Sequence, residues 1–126
     1  MRIAVTYAEK IESEANGREH WRPKAARVKR QRLMAWANLR TLERPAFLGP
    51  VTISLTRIAP RELDGDNLQS GFKATRDGVA DWLGVDDGDK RLTWEYHQKR
   101  GAAHYYGVEI KVSSIPEALD ALEQSK

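Results

Sequence analysis

The chain opens on a period-two pattern. Ile3, Val5 and Tyr7 alternate with Ala4 and Thr6, which predicts a short strand over Arg2 to Tyr7. Glu9 to Trp21 is polar, contains Asn16-Gly17, and reads as a loop with room for one helical turn. Pro23 suits the first turn of a helix. From there to about Arg40 the residues are mostly Ala, Arg, Lys, Leu, Met and Trp, which tolerate or favour a helix. Val28, Ala35, Trp36 and Leu39 fall near one face, with Arg27, Lys29, Arg30 and Gln31 around the other. Arg44 to Pro50 holds two prolines and a glycine and is a connection. Val51 to Ile58 alternates cleanly, with Val51, Ile53 and Leu55 on one face, so a second strand is expected there, ended by Pro60.

A second helix is expected between Asp66 and Leu83, with Leu68, Phe72, Val79 and Leu83 on its apolar side and Gly84 to stop it. Asp86-Asp87-Gly88-Asp89 is a turn. Leu92 to His97 and Tyr105 to Val112 have strand composition. The short link Gln98 to Ala103 predicts that they form an antiparallel hairpin with a basic tip. Ser114-Ile115-Pro116-Glu117 is a capping box, followed by Ala118, Leu119, Ala121 and Leu122 in a short last helix. This order predicts one small α+β domain over residues 1–126, a mixed β-sheet of about four strands with two to three helices packed against it.

Composition narrows the chemistry. A chain of 126 residues is one ordinary domain that can bury a core without staples. Cysteine is absent, which excludes disulfides, thiolate metal sites and cysteine nucleophiles. No apolar run reaches the roughly 20 residues of a membrane span, and Met1 to Val5 begins no signal peptide, so a cytoplasmic protein without membrane partners is expected. Charge is unevenly spread. Arg18 to Arg32 holds seven Lys/Arg residues against Glu19, whereas Asp64 to Asp89 holds seven of the eight aspartates against Lys73 and Arg76. Basic segments attract polyanions, and clustered carboxylates repel one another unless a cation or proton intervenes. The combination suggests metal-assisted chemistry on a nucleic acid.

Asp64-Gly65-Asp66-Asn67 follows a strand and precedes a helix. Two carboxylates one residue apart on extended backbone point to one side and can share a hard cation such as Mg²⁺. The bland alternative is a polar turn with Asp66 capping the helix. Asp86-Asp87 lies about twenty residues further on, where the intervening helix could return it to the first pair, and otherwise reads as plain turn chemistry. Lys73 is seven residues after Asp66, about two helical turns, and could stabilise charge on a reacting phosphate or simply pair with Asp77. In the basic helix Arg22, Lys24, Arg27, Lys29, Arg30 and Arg32 are candidate phosphate contacts, with Lys99 and Arg100 as weaker ones, against the alternative of a solvated face. His20, His97 and His104 have no ligand-like spacing, and the four Trp read mostly as core.

Asp64-Gly65-Asp66-Asn67-Leu68, Lys73, Asp77, Gly84 and Asp86-Asp87 together resemble the pattern of RusA-type Holliday junction resolvases, over about 25 residues. The resemblance implies a small homodimeric endonuclease, often prophage-encoded, that nicks four-way DNA junctions symmetrically in recombination and repair. It implies Mg²⁺ as cofactor, with Mn²⁺ able to substitute. Asp64 and Asp66 match the family's first two catalytic acids, Asp87 the third and Lys73 the catalytic lysine, with Asp86 assisting at the metal. The family's founding pattern has its lysine four residues after the second Asp; here the gap is seven. On one helix four residues turn about 400° and seven about 700°, so both return near one face. Two rivals remain: a non-catalytic nucleic-acid-binding protein with a structural Asp cluster, and a metal-dependent phosphohydrolase of nucleotides, which the basic helix disfavours.

Overall fold

The computed structural model describes residues 2–12, 21–44 and 50–114, with backbone alone at 21–23. In chain order the elements are β1 (Arg2–Ala8), α1 (Trp21–Leu39), β2 (Val51–Ala59), α2 (Gly65–Gly71), α3 (Lys73–Leu83), β3 (Leu92–Arg100) and β4 (Gly107–Ser114). The strands form one mixed sheet in the order β1-β4-β2-β3, so the α+β class holds, with three helices among the described residues. β2 pairs antiparallel with β4 and parallel with β3, and β1 pairs antiparallel with β4. The register puts Val51, Ile53 and Leu55 beside Leu92, Trp94 and Tyr96 on one flank, and Ile53 and Leu55 beside Val112 and Ile110 on the other. That face carries the core, which Ala35, Leu39, Phe72, Val79, Trp82 and Leu83 of the helical segments complete.

The expected β3–β4 hairpin does not form. β3 runs on to Arg100, and the link from Gly101 to Tyr106 carries the chain past the end of β2, so that β2 separates the two strands. Burial explains the choice. Val108, Ile110 and Val112 are wholly buried and need a neighbour on each side, whereas β3 alternates Leu92, Trp94 and Tyr96 with exposed Thr93, Glu95 and His97. A strand with a charged outer row is suited to an edge. Lys99 and Arg100 therefore end an edge strand, opposite Ile58 and Ala59, and are not a hairpin tip.

The helix expected over Asp66 to Leu83 is two helices. Phe72 breaks it at φ −91°, ψ 1°, with its side chain fully buried. Gly71 lets the chain after β1 pass close by, since a Cβ there would lie 2.7 Å from the Glu12 carbonyl oxygen. The faces of α1 also differ from expectation. Arg27 and Gln31 are buried together with Ala35 and Leu39, while Leu33 is 56% and Trp36 36% exposed. Residues four apart make one stripe on a helix, and the stripe facing the protein is 27–31–35–39 rather than the most apolar one. Trp82 is core as expected, and Trp94 packs against the core from its edge. The expected last helix lies outside the described residues, and so do Arg18 to His20.

α1 crosses α3 at Gly78, where a Cβ would meet the Arg32 carbonyl oxygen at 2.2 Å and Ala35 Cβ at 2.8 Å. A two-point Arg32–Asp81 contact, at 2.6 and 2.7 Å, flanks the crossing. Gly78→Ala is expected to destabilise the fold by about 1–3 kcal/mol or more through overpacking. That exceeds the roughly 1 kcal/mol that alanine gains over glycine in a helix. Gly65→Ala, with nothing within 4 Å of the added Cβ, serves as the control and should be neutral or slightly stabilising. Urea unfolding midpoints of the two variants check the contrast.

Candidate active site

The site begins where β2 ends. Asp64 is extended at φ −70°, ψ 163° and stands as N-cap of α2, its carbonyl accepting from the Leu68 N–H at 2.9 Å. Its side chain makes no capping bond and instead accepts a short hydrogen bond from the Asn67 amide. Asp66 sits in the first turn of α2, and both carboxylates are exposed. The turn before them is held from below. Arg57 donates to the Arg61 carbonyl at 2.6 Å and to the Ile11 carbonyl at 3.0 Å. Gln98 accepts from the Leu63 N–H at 2.8 Å and donates to the Leu63 carbonyl at 2.5 Å.

Lys73 opens α3 just past the break. Its ammonium donates to Asp77 at 2.9 Å and to Asp87 at 2.8 Å. Gly84, at φ 77°, caps α3 in the left-handed conformation that favours glycine and turns the chain back. Three residues later Asp87 lies beside the helix's first turn. Arg76 grips the same residue: Nε is 2.9 Å from Asp87 Oδ2, an ion pair whose N–H is not aimed at the oxygen, and Nη2 donates to the Asp87 carbonyl at 3.1 Å. The guanidinium also donates to the Tyr96 hydroxyl at 2.8 Å and stacks 4.8 Å from the centre of the Trp94 ring. Trp94 Nε1 in turn donates to the Asp87 carbonyl at 2.9 Å.

These contacts set the protonation states. Hydrogen bonding to Lys73, with further help from Arg76, holds the Asp87 carboxyl below the usual carboxylate range. Hydrogen bonds to Asp87 and Asp77 raise Lys73. Lys73 is therefore a firm cation, able to neutralise phosphate charge but not to accept a proton. Burial lowers Arg57 from the usual guanidinium value.

Asp66, Lys73 and Asp77 line one open cleft of about 580 Å³ together with Lys24 and Val28 of α1, Arg76 of α3 and Tyr96 of β3. The break at Phe72 thus leaves Asp66 and Lys73 on a shared cleft despite their seven-residue gap. Asp86 and Asp87 lie on the neighbouring loop, with Lys73 as the link between the two places. Asp81 is committed to Arg32, and Asp89 to Arg91, which pulls the Asp89 carboxyl down to about 2. Among the described residues no three His, Asp or Glu side chains converge into a group able to hold a metal ion. The donor chemistry suits a hard cation, and Asp87, which Lys73 and Arg76 hold, would have to be released to serve one.

The expected DNA contacts fare unevenly. Lys24 faces the cleft, Lys29 and Arg30 are exposed on α1, Arg32 is bound to Asp81, and Arg27 is buried. Arg22 lies in the first turn of α1, and Lys99 and Arg100 are exposed at the end of β3. The sequence pattern did not single out Arg57, Arg76 or Gln98. The signal for Arg57 was a polar residue at an inward strand position; Gln98 fell in the expected link, and Arg76 had no signal beyond its charge. Among the described residues no helix is long and apolar enough to cross a membrane. Scanned against protein-family models the chain matches none, and no curated protein matches it either.

The Lys73–Asp87 pair makes stability depend on pH at both ends. Asp87 is depressed, so its contribution is present above the ordinary carboxylate value of about 4 and is lost as pH falls through the lower folded value. Lys73 is raised, so its contribution is present below about 10.4 and is lost as pH rises through the higher folded value. Asp87→Asn should be less stable than wild type near neutrality, and the gap should narrow once the pH drops well below about 4. Both partners touch solvent, so salt should shrink the difference. Urea midpoints at both pH values, with and without salt, check this.

Proposed function

We propose that this protein is a structure-selective DNA endonuclease of the RusA type, a homodimer that nicks four-way junctions in the presence of Mg²⁺ or Mn²⁺. The observation that carries the reading is the position of Lys73, which lines the cleft with Asp66 and binds Asp87. Lys73 thereby pairs with Asp77 and Asp87 and shares a cleft with Asp66. Lys24, Lys73 and Arg76 give the cleft cations for a phosphodiester, while Asp66 and Asp77 confine where the anion can sit. A junction has two-fold symmetry, and paired nicks follow if two copies each supply one cleft.

One observation favours the rival, a nucleic-acid-binding protein that does no chemistry: Asp87 is already occupied by two of the protein's own cations. A divalent ion needs that carboxylate released, so the metal belongs to what the experiment tests. Wild type should nick a labelled four-way junction in Mg²⁺ or Mn²⁺, spare matched duplex, and stop in EDTA. Asp66→Asn should lose cleavage by orders of magnitude and keep junction binding. Binding without cutting across several junction sequences would favour the rival, and normal cutting by Asp66→Asn would remove that residue from the site.

The exposed basic residues of α1 are the proposed partners of the DNA backbone. Replacing Lys29 and Arg30 with Ala should weaken junction binding and make the slope of log K against log salt shallower by about 0.9 for each phosphate that is no longer neutralised. Arg27 is left in place because it is buried. An unchanged slope in the folded double variant would make this helix face merely solvated.

A further inference from the structure

The inward faces of β2 and β3 change character at the same register. Val51, Ile53 and Leu55 are followed by Arg57, and Leu92, Trp94 and Tyr96 by Gln98, with Arg57 and Gln98 directly paired. Two polar residues next to a closed apolar core need partners there, because a buried polar group without a hydrogen bond is costly. Both find them in backbone rather than in each other. Gln98 engages the N–H and the carbonyl of Leu63 together, and Arg57 ties Arg61 to Ile11. Leu63 immediately precedes Asp64. A side-chain amide bound to both polar groups of one residue fixes the orientation of its peptide planes as well as its position. The next peptide carries Asp64, and the one after begins α2 with Asp66 in its first turn.

We propose that Gln98, with Arg57 holding Arg61 two residues before Leu63, is the positioning residue that sets the direction of the Asp64–Asp66 turn over the cleft. The kinetic part rests on the endonuclease reading; the structural part does not. Gln98 does not line the cleft, and its side-chain amide bonds Leu63, so its path to the acids runs through Leu63. Pinning the residue before the acids restricts the turn without placing another charge in the site. Small misplacements of reacting groups are expensive in rate, on the order of a hundredfold for about 1 Å.

The test uses the full chain carrying Gln98→Met, which keeps the length and loses both hydrogen bonds, and Gln98→Glu, which keeps the acceptor for the Leu63 N–H and loses the donor. Amide hydrogen exchange is read at Leu63 and, as reference, at Leu55 in the middle of β2. Cleavage is read at saturating four-way junction, beside junction affinity. In Gln98→Met the Leu63 amide should exchange about tenfold faster while Leu55 is unchanged. Cleavage should fall about ten- to a hundredfold with affinity kept within about twofold. Gln98→Glu should keep Leu63 protection and lose less activity. Unchanged Leu63 exchange in the folded Met variant overturns the proposal, as does freed Leu63 with wild-type cleavage. Should Gln98→Met fail to fold, Gln98→Glu with wild-type cleavage and an unprotected Leu63 also overturns it. If wild type itself cuts no junction in any metal, the endonuclease reading has failed, and the exchange measurement alone decides the clamp.

Discussion

The parallel pairing of β2 with β3 is the constraint on which the rest of the arrangement depends. Antiparallel neighbours can be joined by a tight turn, but parallel ones need a long crossover. Residues 60–91 are that crossover, and they hold seven of the eight aspartates. The segment must bury an apolar side against the sheet, which it does through Leu68, Phe72, Val79, Trp82 and Leu83. Its charged side is then forced outward, towards α1 and the loop before β3. The same constraint makes the break at Phe72 useful. A buried Phe at the joint anchors both helices to the core while letting each take its own direction, so the first turns of α2 and α3 both face the cleft.

Around Lys73 the charges form an ordered pair of roles. Arg76 is fixed: it holds the Tyr96 hydroxyl, the Asp87 carbonyl and the Trp94 ring face at once. Lys73 is held only by carboxylates, and its side chain is 61% exposed. Guanidinium groups bind as planar forks, whereas an ammonium is a point charge on a flexible stem. Asp87 therefore pairs with one cation that other groups also hold, Arg76, and a second, Lys73, that carboxylates hold. A phosphate entering the cleft would compete for the second, at a cost limited by the modest strength of exposed ion pairs.

How much of this was legible in the sequence depends on which interaction decides each feature. Strands β1 and β2 follow from period-two alternation, and the α+β class from the order of elements. The seven-residue spacing of Asp66 and Lys73 was read on one continuous helix; the break at Phe72 removes that helix, and the two residues line one cleft from separate helices. Strand neighbours were not readable from loop length. A six-residue link suited a hairpin, yet the burial demand of Val108, Ile110 and Val112 decided that β4 goes to the middle. The buried side of α1 was hidden for a different reason. Arg27 and Gln31 sit on the stripe that meets the protein, and polarity alone argues for the opposite face. Arg76 looked like one more surface charge, because its partners come from the loop at Asp87 and from Trp94 and Tyr96 on the strand after it.

Arg57 and Gln98 suggest a more general sign. Along an otherwise clean alternating strand, a polar residue at an inward position has to satisfy its hydrogen-bonding groups near the core's edge. Strand backbone is already paired in the sheet, so the free partners are the carbonyls and N–H groups of the loops that close its ends. Such a residue therefore marks a loop that is held rather than merely connected. Here two of them stand in register at the ends of neighbouring parallel strands, beneath the same turn. The pair thus marks the turn before Asp64 and Asp66 as a held loop, through residues other than the acids themselves.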